Sequence, residues 1–473
     1  MPSGGWSLQL AELAWPQQGG LDLVEGHPVA AAGAVVGRGM RCRSDPTPYD
    51  AGDAYYARWG GPVTALGPLR EPNFQLLFSA EAVSLLGSAV APIALAFGVL
   101  ETTHSATDLG IVLTARELVM VVLLLFGGVF ADRWPRQAIM ASGSAVSAVA
   151  QALTGILFLT HSSQIWSLAL LAAVNGLAVA FWFPAAVGLV PSTVSPGHLR
   201  QANSLLGLAR NSSGVAGAAL GGVIVALIGP GLGLEIDAIS YLAAAALVYF
   251  IRVAPTSAPA SRPGVLRELA TGWREFWSRA WLWAIVIQFS LFNMAYVGAM
   301  SVLLPLVARR SLGGALAYGA IYAVAGAGAI TGGLLTLRLS PRRPLLVATF
   351  GVVVELPFFI LLALGAPLVS LLATGFVGGV GLEAFNVLWS TTMQEQIPQE
   401  KLSRVSSYDS FGSFVFMPIG LAVAGPLAVL LGLRPALWVA LMVMAVPTLL
   451  VLLVRDVRTV TRQPVGQPTG SEV

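Results

Sequence analysis

Charged side chains recur inside stretches of this chain that are otherwise apolar. The set comprises Glu81, Arg116, Glu117, Arg210, Glu355, Glu383 and Asp409. An ionisable group inside a long apolar helix is costly to bury, so each is a candidate for ion-pair, proton or substrate chemistry. A carboxylate that is buried without a partner can also take up and release a proton near neutral pH.

Two of these charges lie at matching depths. Glu81 and Arg210 are each seven or eight residues from the end of their apolar run, which corresponds to about 10–12 Å at the rise of an α-helix. Arg116 and Glu117 are neighbours near the middle of another run, and adjacent helical side chains point about 100° apart. We therefore predict that these two do not pair and that one faces a cavity and the other a neighbouring helix. Substrate or proton binding and simple packing both remain open for them.

The composition predicts an all-α integral membrane protein. Of the 473 residues, 56% are apolar and 10% are charged, and the mean hydropathy is +0.77, whereas soluble domains carry about 25% charged residues. The formal charge of +3 comes without a basic arm of interleaved aromatics, which argues against nucleic-acid binding. The lipid bilayer is the expected partner of the chain.

Twelve apolar runs are long enough to cross a bilayer, which takes about 20 residues. Their approximate bounds are 74–100, 107–130, 138–160, 164–190, 202–228, 234–251, 281–307, 314–337, 344–364, 368–393, 405–431 and 435–454. With the N-terminus in the cytoplasm, all but five of the 26 Lys and Arg residues lie on the cytoplasmic side. Those five are Arg309, Arg310 and Arg434 outside and Arg116 and Arg210 within spans. The positive-inside rule therefore predicts that both termini are cytoplasmic.

The long linker between spans six and seven divides the chain into an N-terminal bundle, 71–252, and a C-terminal bundle, 281–456. The linker itself, 253–280, is predicted to contain an interfacial helix, since apolar and charged residues alternate there at helical spacing. Residues 1–70 show neither a helical period nor a long apolar run. They are predicted to form a disordered cytoplasmic tail or, alternatively, to be non-native, with translation beginning near Val63. Residues 457–473 form a second predicted cytoplasmic tail.

A short charged turn separates spans two and three. It contains Gly128, Asp132, Arg133 and Arg136. Such a turn cannot lie in hydrocarbon, so it marks a membrane face. It is either a positively charged topogenic loop or a conformational gate, in which Asp132 docks on the positive N-terminus of a helix in the other half and holds one conformation closed.

An internal repeat supports the division into six and six spans. Residues 194–204 resemble residues 397–407. About twenty residues later, residues 217–222 match residues 420–425 at the same offset. Two equivalent halves are a transporter architecture.

Together these features resemble the major facilitator superfamily. Its loop motif is carried by Gly128, Asp132, Arg133 and Arg136, with Gln137 where the family usually has a basic residue. Residues 217–222 resemble the glycine motif of exporters, with Ala218 in place of its proline, and residues 183–185, 190–191, 202–204 and 236–241 resemble the macrolide-efflux and enterobactin-exporter branch.

The resemblance covers residues 68–456. It implies twelve helices in two six-helix bundles, a central cavity, alternating access by rocking of the two bundles, and efflux driven by proton antiport. Drug–proton antiporters usually carry an arginine four residues before the glycine of span four, whereas this chain has Ala172 before Gly176. The coupling ion is therefore left open.

The resemblance also places the charged candidates. It sets the helices of Glu81 and Arg210 side by side, so we expect an ion pair whose role is structural or concerns proton or substrate binding. It brings span ten to the cavity and leaves span nine peripheral, which favours Glu383 over Glu355. Asp409 is interpreted as an anion near a helix start, stabilised by the helix dipole. The proton-coupling candidates are thus Glu81, Glu117, Glu383, Arg116 and Arg210.

Amides beside aromatic side chains suit a bulky, partly apolar ligand. The candidates for a cavity wall lie in spans four and seven and are Asn175, Phe181, Trp182, Gln288, Asn293 and Tyr296. For each, packing against helices or lipid is the alternative. Gly217, Gly221 and Gly222 are expected to allow close helix packing.

The sequence shows no enzyme signature. Its four histidines are scattered without metal-ligand spacing, and it has no phosphate-binding Gly-Lys-Ser/Thr loop, so we expect no cofactor. We expect a secondary active exporter of a hydrophobic small molecule (a drug, antibiotic or siderophore) in the bacterial cytoplasmic membrane, working as a monomer in exchange for protons. A facilitator or importer of the same fold and a non-transporting sensor or scaffold are the alternatives. The in-span carboxylates argue against a scaffold.

Overall fold

The computed structural model describes residues 66–131, 134–253, 273–339 and 341–461, which form helices joined by short turns. They belong to a single compact unit, Gly61–Val473. Helices are expected because a backbone in lipid must satisfy its N–H and C=O groups within its own segment. Large apolar side chains on the outside, such as Leu227 (78% exposed) and Leu430 (80% exposed), suit contact with lipid.

Each predicted span of the N-terminal half coincides with helix. Span one consists of Pro72–Ser88 and Ala91–Thr103, span two is Ala106–Ala131, span three is Arg136–Leu159 and span four is Ile165–Thr193. Spans five and six form the 51-residue stretch Leu199–Tyr249, which is broken at Gly229 (φ +84°) and followed by Pro230.

The chain reverses direction at Gly229. Ala202 and Val248, near opposite ends of this stretch, belong to the same buried cluster, which also contains Phe74 of span one. A positive φ favours glycine, and Pro230 cannot donate a helical hydrogen bond. The two ends of the stretch therefore lie at the same end of the molecule, and spans five and six run in opposite directions.

The spans of the C-terminal half are helical as well. Their segments are Ala280–Gly298, continued by Ala299–Leu303, Leu304–Val307 and Ala308–Leu312 (span seven), Ala315–Thr336 (eight), Pro344–Val353 and Leu356–Leu364 (nine), Leu368–Gln396 (ten), Gln399–Phe414 and Met417–Leu431 (eleven), and Leu433–Val451 (twelve). Within the described ranges, ten helical stretches are long and apolar enough to cross a membrane, and one of them is the reversed stretch of spans five and six. That all twelve spans cross the bilayer, in two six-helix bundles, stays a prediction.

The predicted ends of the helical part need correction. Gly67–Arg70 forms a 3₁₀ turn that packs against His198, so these residues do not belong to a tail. At the other end, Arg455–Thr459 is a short helix with Val457 fully buried. Residues 1–65 and 462–473 of the predicted tails are outside the described residues.

Only the end of the predicted interfacial helix lies in the part of the chain that the structure describes. Residues 273–277 are helical. Phe276 is buried, and the ring of Trp273 lies 5.5 Å from that of Tyr408 in span eleven. This segment therefore packs on the C-terminal half.

Glycines allow the two halves to approach each other. A Cβ on Gly222 of span five would come within 3.0 Å of Gly319 Cα in span eight, and a Cβ on Gly319 would come within 2.7 Å of Gly222 Cα. A Cβ on Gly110 of span two would lie 2.6 Å from the Leu421 carbonyl oxygen of span eleven. Small residues permit such close backbone packing in membranes. The prediction of packing glycines at 217, 221 and 222 fits these contacts, since Gly217 and Gly221 lie against span one.

Candidate functional site

Arg116 is the centre of a polar contact between spans two and four. Its Nη1 donates to Glu117 Oε1 at 2.8 Å, and its Nε donates to Asn175 Oδ1 at 3.1 Å. The prediction that Arg116 and Glu117 do not pair was wrong, because the long arginine side chain reaches around the helix. Asn175 itself is buried, with only 5% of its surface exposed.

Gly176 makes this contact possible. A Cβ at this position would lie 2.2 Å from the Arg116 carbonyl oxygen. Only glycine lets the backbones of spans two and four meet here, and the neighbouring Asn175 is thereby brought within hydrogen-bond reach of the guanidinium.

A buried carboxylate in span six was missed as a candidate. Asp237 has no exposed surface. Its Oδ1 accepts a hydrogen bond from Ser88 Oγ of span one at 3.1 Å, and its Oδ2 accepts one from Gln151 Nε2 of span three at 2.7 Å. A signal was present, since an acidic residue between Ile236 and Ala238 stands in an apolar run.

The structure joins Glu81 and Arg210 as predicted. Arg210 Nη2 donates to Glu81 Oε2 at 3.1 Å. The Glu81 side chain is 1% exposed and that of Arg210 is 44% exposed, so the pair has one enclosed and one accessible end. Glu81 Oε1 has no hydrogen-bond partner among the described residues. Proton or substrate binding by this pair stays a prediction.

One residue of the predicted gate motif has a defined contact. Arg136 Nη1 donates to the Gly188 carbonyl oxygen of span four, and the missing side chain of Gly188 leaves room for the guanidinium. Gly128 lies in the helix of span two. Asp132 and Arg133 are outside the described residues, so the gate stays a prediction.

The two glutamates of spans nine and ten differ in environment. Glu355 is 5% exposed and lies where span nine breaks, with Oε2 1.9 Å from the position of a Cβ on Gly378. It therefore fills the interface between spans nine and ten. Glu383 is partly exposed, and its Cγ lies 3.8 Å from a Cβ position on Gly333 of span eight.

The interpretation of Asp409 was wrong. The helix begins at Gln399, almost three turns earlier, so the dipole of the helix start does not explain the carboxylate. Asp409 Oδ2 instead accepts a hydrogen bond from Trp389 Nε1 of span ten at 3.3 Å. This contact ties span eleven to span ten.

Several cavity-wall candidates contact neighbouring helices. Gln288 is wrong as a wall residue, because it is 2% exposed and donates to Thr448 Oγ1 of span twelve at 2.9 Å. Trp182 packs beside Gly143 of span three. Asn293 donates to the Ser413 carbonyl oxygen at 3.1 Å. Contact of ligand with Asn293, and likewise with Asn175 and Phe181, stays a prediction.

Tyr296 is the end of a column of aromatic rings between spans seven and ten. Successive ring centres are 4.6 to 6.2 Å apart in the run Trp281, Trp389, Phe385, Phe289, Phe292 and Tyr296. The column is largely buried, so it holds the two helices together. A nearby apolar cavity of about 110 Å³, between spans seven, eleven and twelve, is lined by none of the six wall candidates.

Each half carries the same clamp at one end. Glu71, just before span one, accepts hydrogen bonds from Ser195 N at 2.9 Å and from His198 Nδ1 at 2.8 Å. Glu275, just before span seven, accepts bonds from Lys401 Nζ and Arg279 Nη2, each at 2.9 Å. The bonds from Lys401 and Arg279 hold the pKa of the Glu275 carboxyl below its usual value.

The two halves meet at the opposite end. Arg309 Nη1 of span seven donates to the Leu100 carbonyl oxygen of span one, and the Phe97 and Tyr318 rings lie 5.9 Å apart. We call this the closed end. Contacts between the halves continue from there to Val215 and Gly326 near mid-span.

Comparison with known proteins decides the family. A model of the Major Facilitator Superfamily matches residues 77–407, well over half of the chain. The chain belongs to the Major Facilitator Superfamily. It is therefore a multi-pass membrane transporter. Its motifs resemble the macrolide-efflux and enterobactin-exporter branch, and curated relatives come from the same branch.

The relatives of this superfamily member include enterobactin exporters. The enterobactin exporter EntS of Citrobacter koseri is 25% identical over 407 residues, covering 85% of this chain and 96% of the relative. EntS of Escherichia coli O1:K1 is 24% identical over 366 residues, covering 76% and 86%.

Solved transporters share the fold at low identity. A bacterial homologue of the human lysosomal transporter Spinster, inward-facing and unoccupied, aligns with a TM-score of 0.66 at 15% identity, covering 84% of this chain and 99% of that one. A bacterial homologue of the iron transporter ferroportin, inward-facing, aligns with a TM-score of 0.63 at 16% identity, covering 80% and 98%.

Proposed function

We propose that this transporter exports a siderophore-type hydrophobic small molecule across the bacterial cytoplasmic membrane in exchange for protons. The observation that carries the proposal is the match to enterobactin exporters, which extends over 96% of the Citrobacter koseri protein. A match of that extent includes both halves and the elements between them. One chain is the proposed working unit.

The contacts between the halves support an alternating-access cycle. With both termini in the cytoplasm, as the positive charges predict, the closed end is extracellular and the structure corresponds to an inward-facing state. Substrate would then enter from the cytoplasm. Glu81, Arg116, Glu117, Arg210 and Glu383 are the proposed proton-coupling groups.

A facilitator or importer of the same fold is the second candidate. It is favoured by Ala172, which occupies the place of the arginine that drug–proton antiporters usually carry in span four. Such a protein would move substrate down its gradient without a proton requirement.

Everted membrane vesicles test the proposal. Vesicles containing the chain should accumulate iron-free enterobactin when a proton gradient is imposed and lose it when a protonophore is added. Vesicles lacking the chain are the control, and a macrolide and a cationic dye are the comparison probes. Equal enterobactin entry with and without the gradient would favour a facilitator, and entry equal to the control for every probe would contradict export.

A further inference from the structure

Asp237 is a carboxylate enclosed among neutral hydrogen-bond donors. Ser88 of span one and Gln151 of span three donate to it, and Ser240 on its own helix lies 3.4 Å from Oδ1. A buried charge is costly unless a charged partner or strong donors offset it. No ion pair to Asp237 is present among the described residues, and Arg116 acts on this carboxyl only at a distance.

The titratable and charged groups near Asp237 are few. Tyr241 on the same helix and Arg116 of span two lie within electrostatic range. Glu235 lies against Gly155 of span three. Glu81 precedes Ser88 by about two helical turns in span one.

Polar side chains lead from Asp237 to an accessible guanidinium. Tyr241 is a neighbour of Asp237, Ser88 and Asn175. Asn175 accepts a hydrogen bond from Arg116, whose side chain is 34% exposed. Asn175 Nδ2 has no partner among the described residues. Tyr241 and Asn175 therefore place polar groups between Asp237 and the accessible Arg116 side chain. Because an arginine stays protonated in proteins, the Asp237 carboxyl is the group in this set that can exchange a proton.

Asp237 is also bonded to the break in span one. Span one consists of two helices, which we call the lower helix (Pro72–Ser88) and the upper helix (Ala91–Thr103). Ser88 is the last residue of the lower helix. The upper helix carries Phe97 and Leu100, which make the closed-end contacts with span eight and span seven. A change in the charge of Asp237 alters the Ser88 bond at the point where the upper helix is attached.

We propose that Asp237 carries the exchanged proton and that the change in its protonation alters the attachment of the upper helix of span one at the closed end. The step makes or breaks only the O–H bond of the carboxyl: the proton binds in the outward-facing conformation and is released to the cytoplasm in the inward-facing one, opposite to the direction of the substrate. This inference rests on the proposed function and names a coupling group outside the five given there.

Reconstituted liposomes separate coupling from transport. Asp237→Asn keeps the size of the side chain and removes the exchangeable proton. It should retain exchange of labelled for unlabelled enterobactin at equal pH and lose accumulation driven by a pH gradient. Asp108→Asn, at the outer end of span two, is the matched control and should behave as wild type. Gradient-driven accumulation by Asp237→Asn at the wild-type rate would overturn the proposal.

A second measurement needs neither the variant nor a substrate. A hydrophobic carbodiimide attacks protonated carboxyls in apolar surroundings, and peptide mass spectrometry locates the adduct on the full-length wild type. Labelling of Asp237 should be strong at about pH 5 and lost at about pH 9. Labelling that is equal at both values, or absent at both, overturns the proposal even if Asp237→Asn does not fold. If wild type carries no enterobactin but Asp237 titrates, it is the proposed function that fails.

Discussion

His198 Nδ1 bonds Glu71 Oε1 at 2.8 Å across 127 positions of the chain, and Lys401 Nζ bonds Glu275 Oε2 at 2.9 Å across 126. His198 and Lys401 are the fifth residues of the two copies of the internal repeat. Each half therefore fastens the start of its first span to the link between its fourth and fifth spans. The repeat is explained by this structural role.

The clamp of the C-terminal half predicts a pH-dependent stability. Because the pKa of Glu275 is lowered in the folded protein, its stabilisation is fully present above the ordinary glutamate pKa of about 4.3 and is lost as pH falls through the lower folded value. Glu275→Gln should lower stability at pH 7 by about 0.5–1 kcal/mol, since exposed partners contribute little. Thermal unfolding in detergent, followed by tryptophan fluorescence, measures the difference.

Lys401→Met is the matched variant for this clamp. It should reproduce much of the loss at pH 7, because it removes one of the two bonds to Glu275. Equal melting temperatures of wild type and Glu275→Gln at pH 7 would show that the clamp contributes nothing.

The Glu81–Arg210 pair predicts that substitutions of the two residues have non-additive effects on the free energy of unfolding. Arg210→Met leaves the enclosed Glu81 carboxylate without its partner and should destabilise by about 1–3 kcal/mol. Adding Glu81→Gln should restore part of that loss, because the buried charge is gone. A double-mutant cycle of unfolding free energies measures the coupling, and simple addition of the two effects would argue against the pair.

The close approach of spans five and eight at Gly319 predicts that a larger residue there opens the closed end. A Cβ there would lie 2.6 Å from the Ala218 carbonyl oxygen, so Gly319→Ala should separate spans five and eight. Spin labels on cysteines at positions 101 and 310, with the single native Cys42 replaced, should report a longer distance. Gly214→Ala, where nothing lies within 4 Å of the added Cβ, is the control. An unchanged distance in Gly319→Ala would show that this contact does not set the closed conformation.

The helical layout could be predicted from the sequence because lipid imposes it. Apolar runs of sufficient length give the spans, and equal depth in two runs brings Glu81 and Arg210 together once the helices are neighbours. Depth does not specify rotation about a helix axis. For that reason Gln288 was assigned to a cavity although it faces span twelve.

Contacts that depend on side-chain reach or on helix ends were harder to predict. Arg116 reaches Glu117 through its own flexible side chain, which a 100° separation of helical positions does not capture. Asp409 was misread because its helix starts at Gln399, well before the predicted span. Asp237 was passed over because its partners, Ser88 and Gln151, come from two other spans and have no sequence relationship to it.

The most direct test of alternating access measures both ends of the transporter at once. Spin labels at positions 101 and 310 report the closed end, and labels at positions 203 and 338 report the opposite end of spans five and eight. On addition of enterobactin with an imposed pH gradient, the first distance should lengthen while the second shortens in the same population. Two distances that stay fixed, or that change in the same direction, would contradict the account.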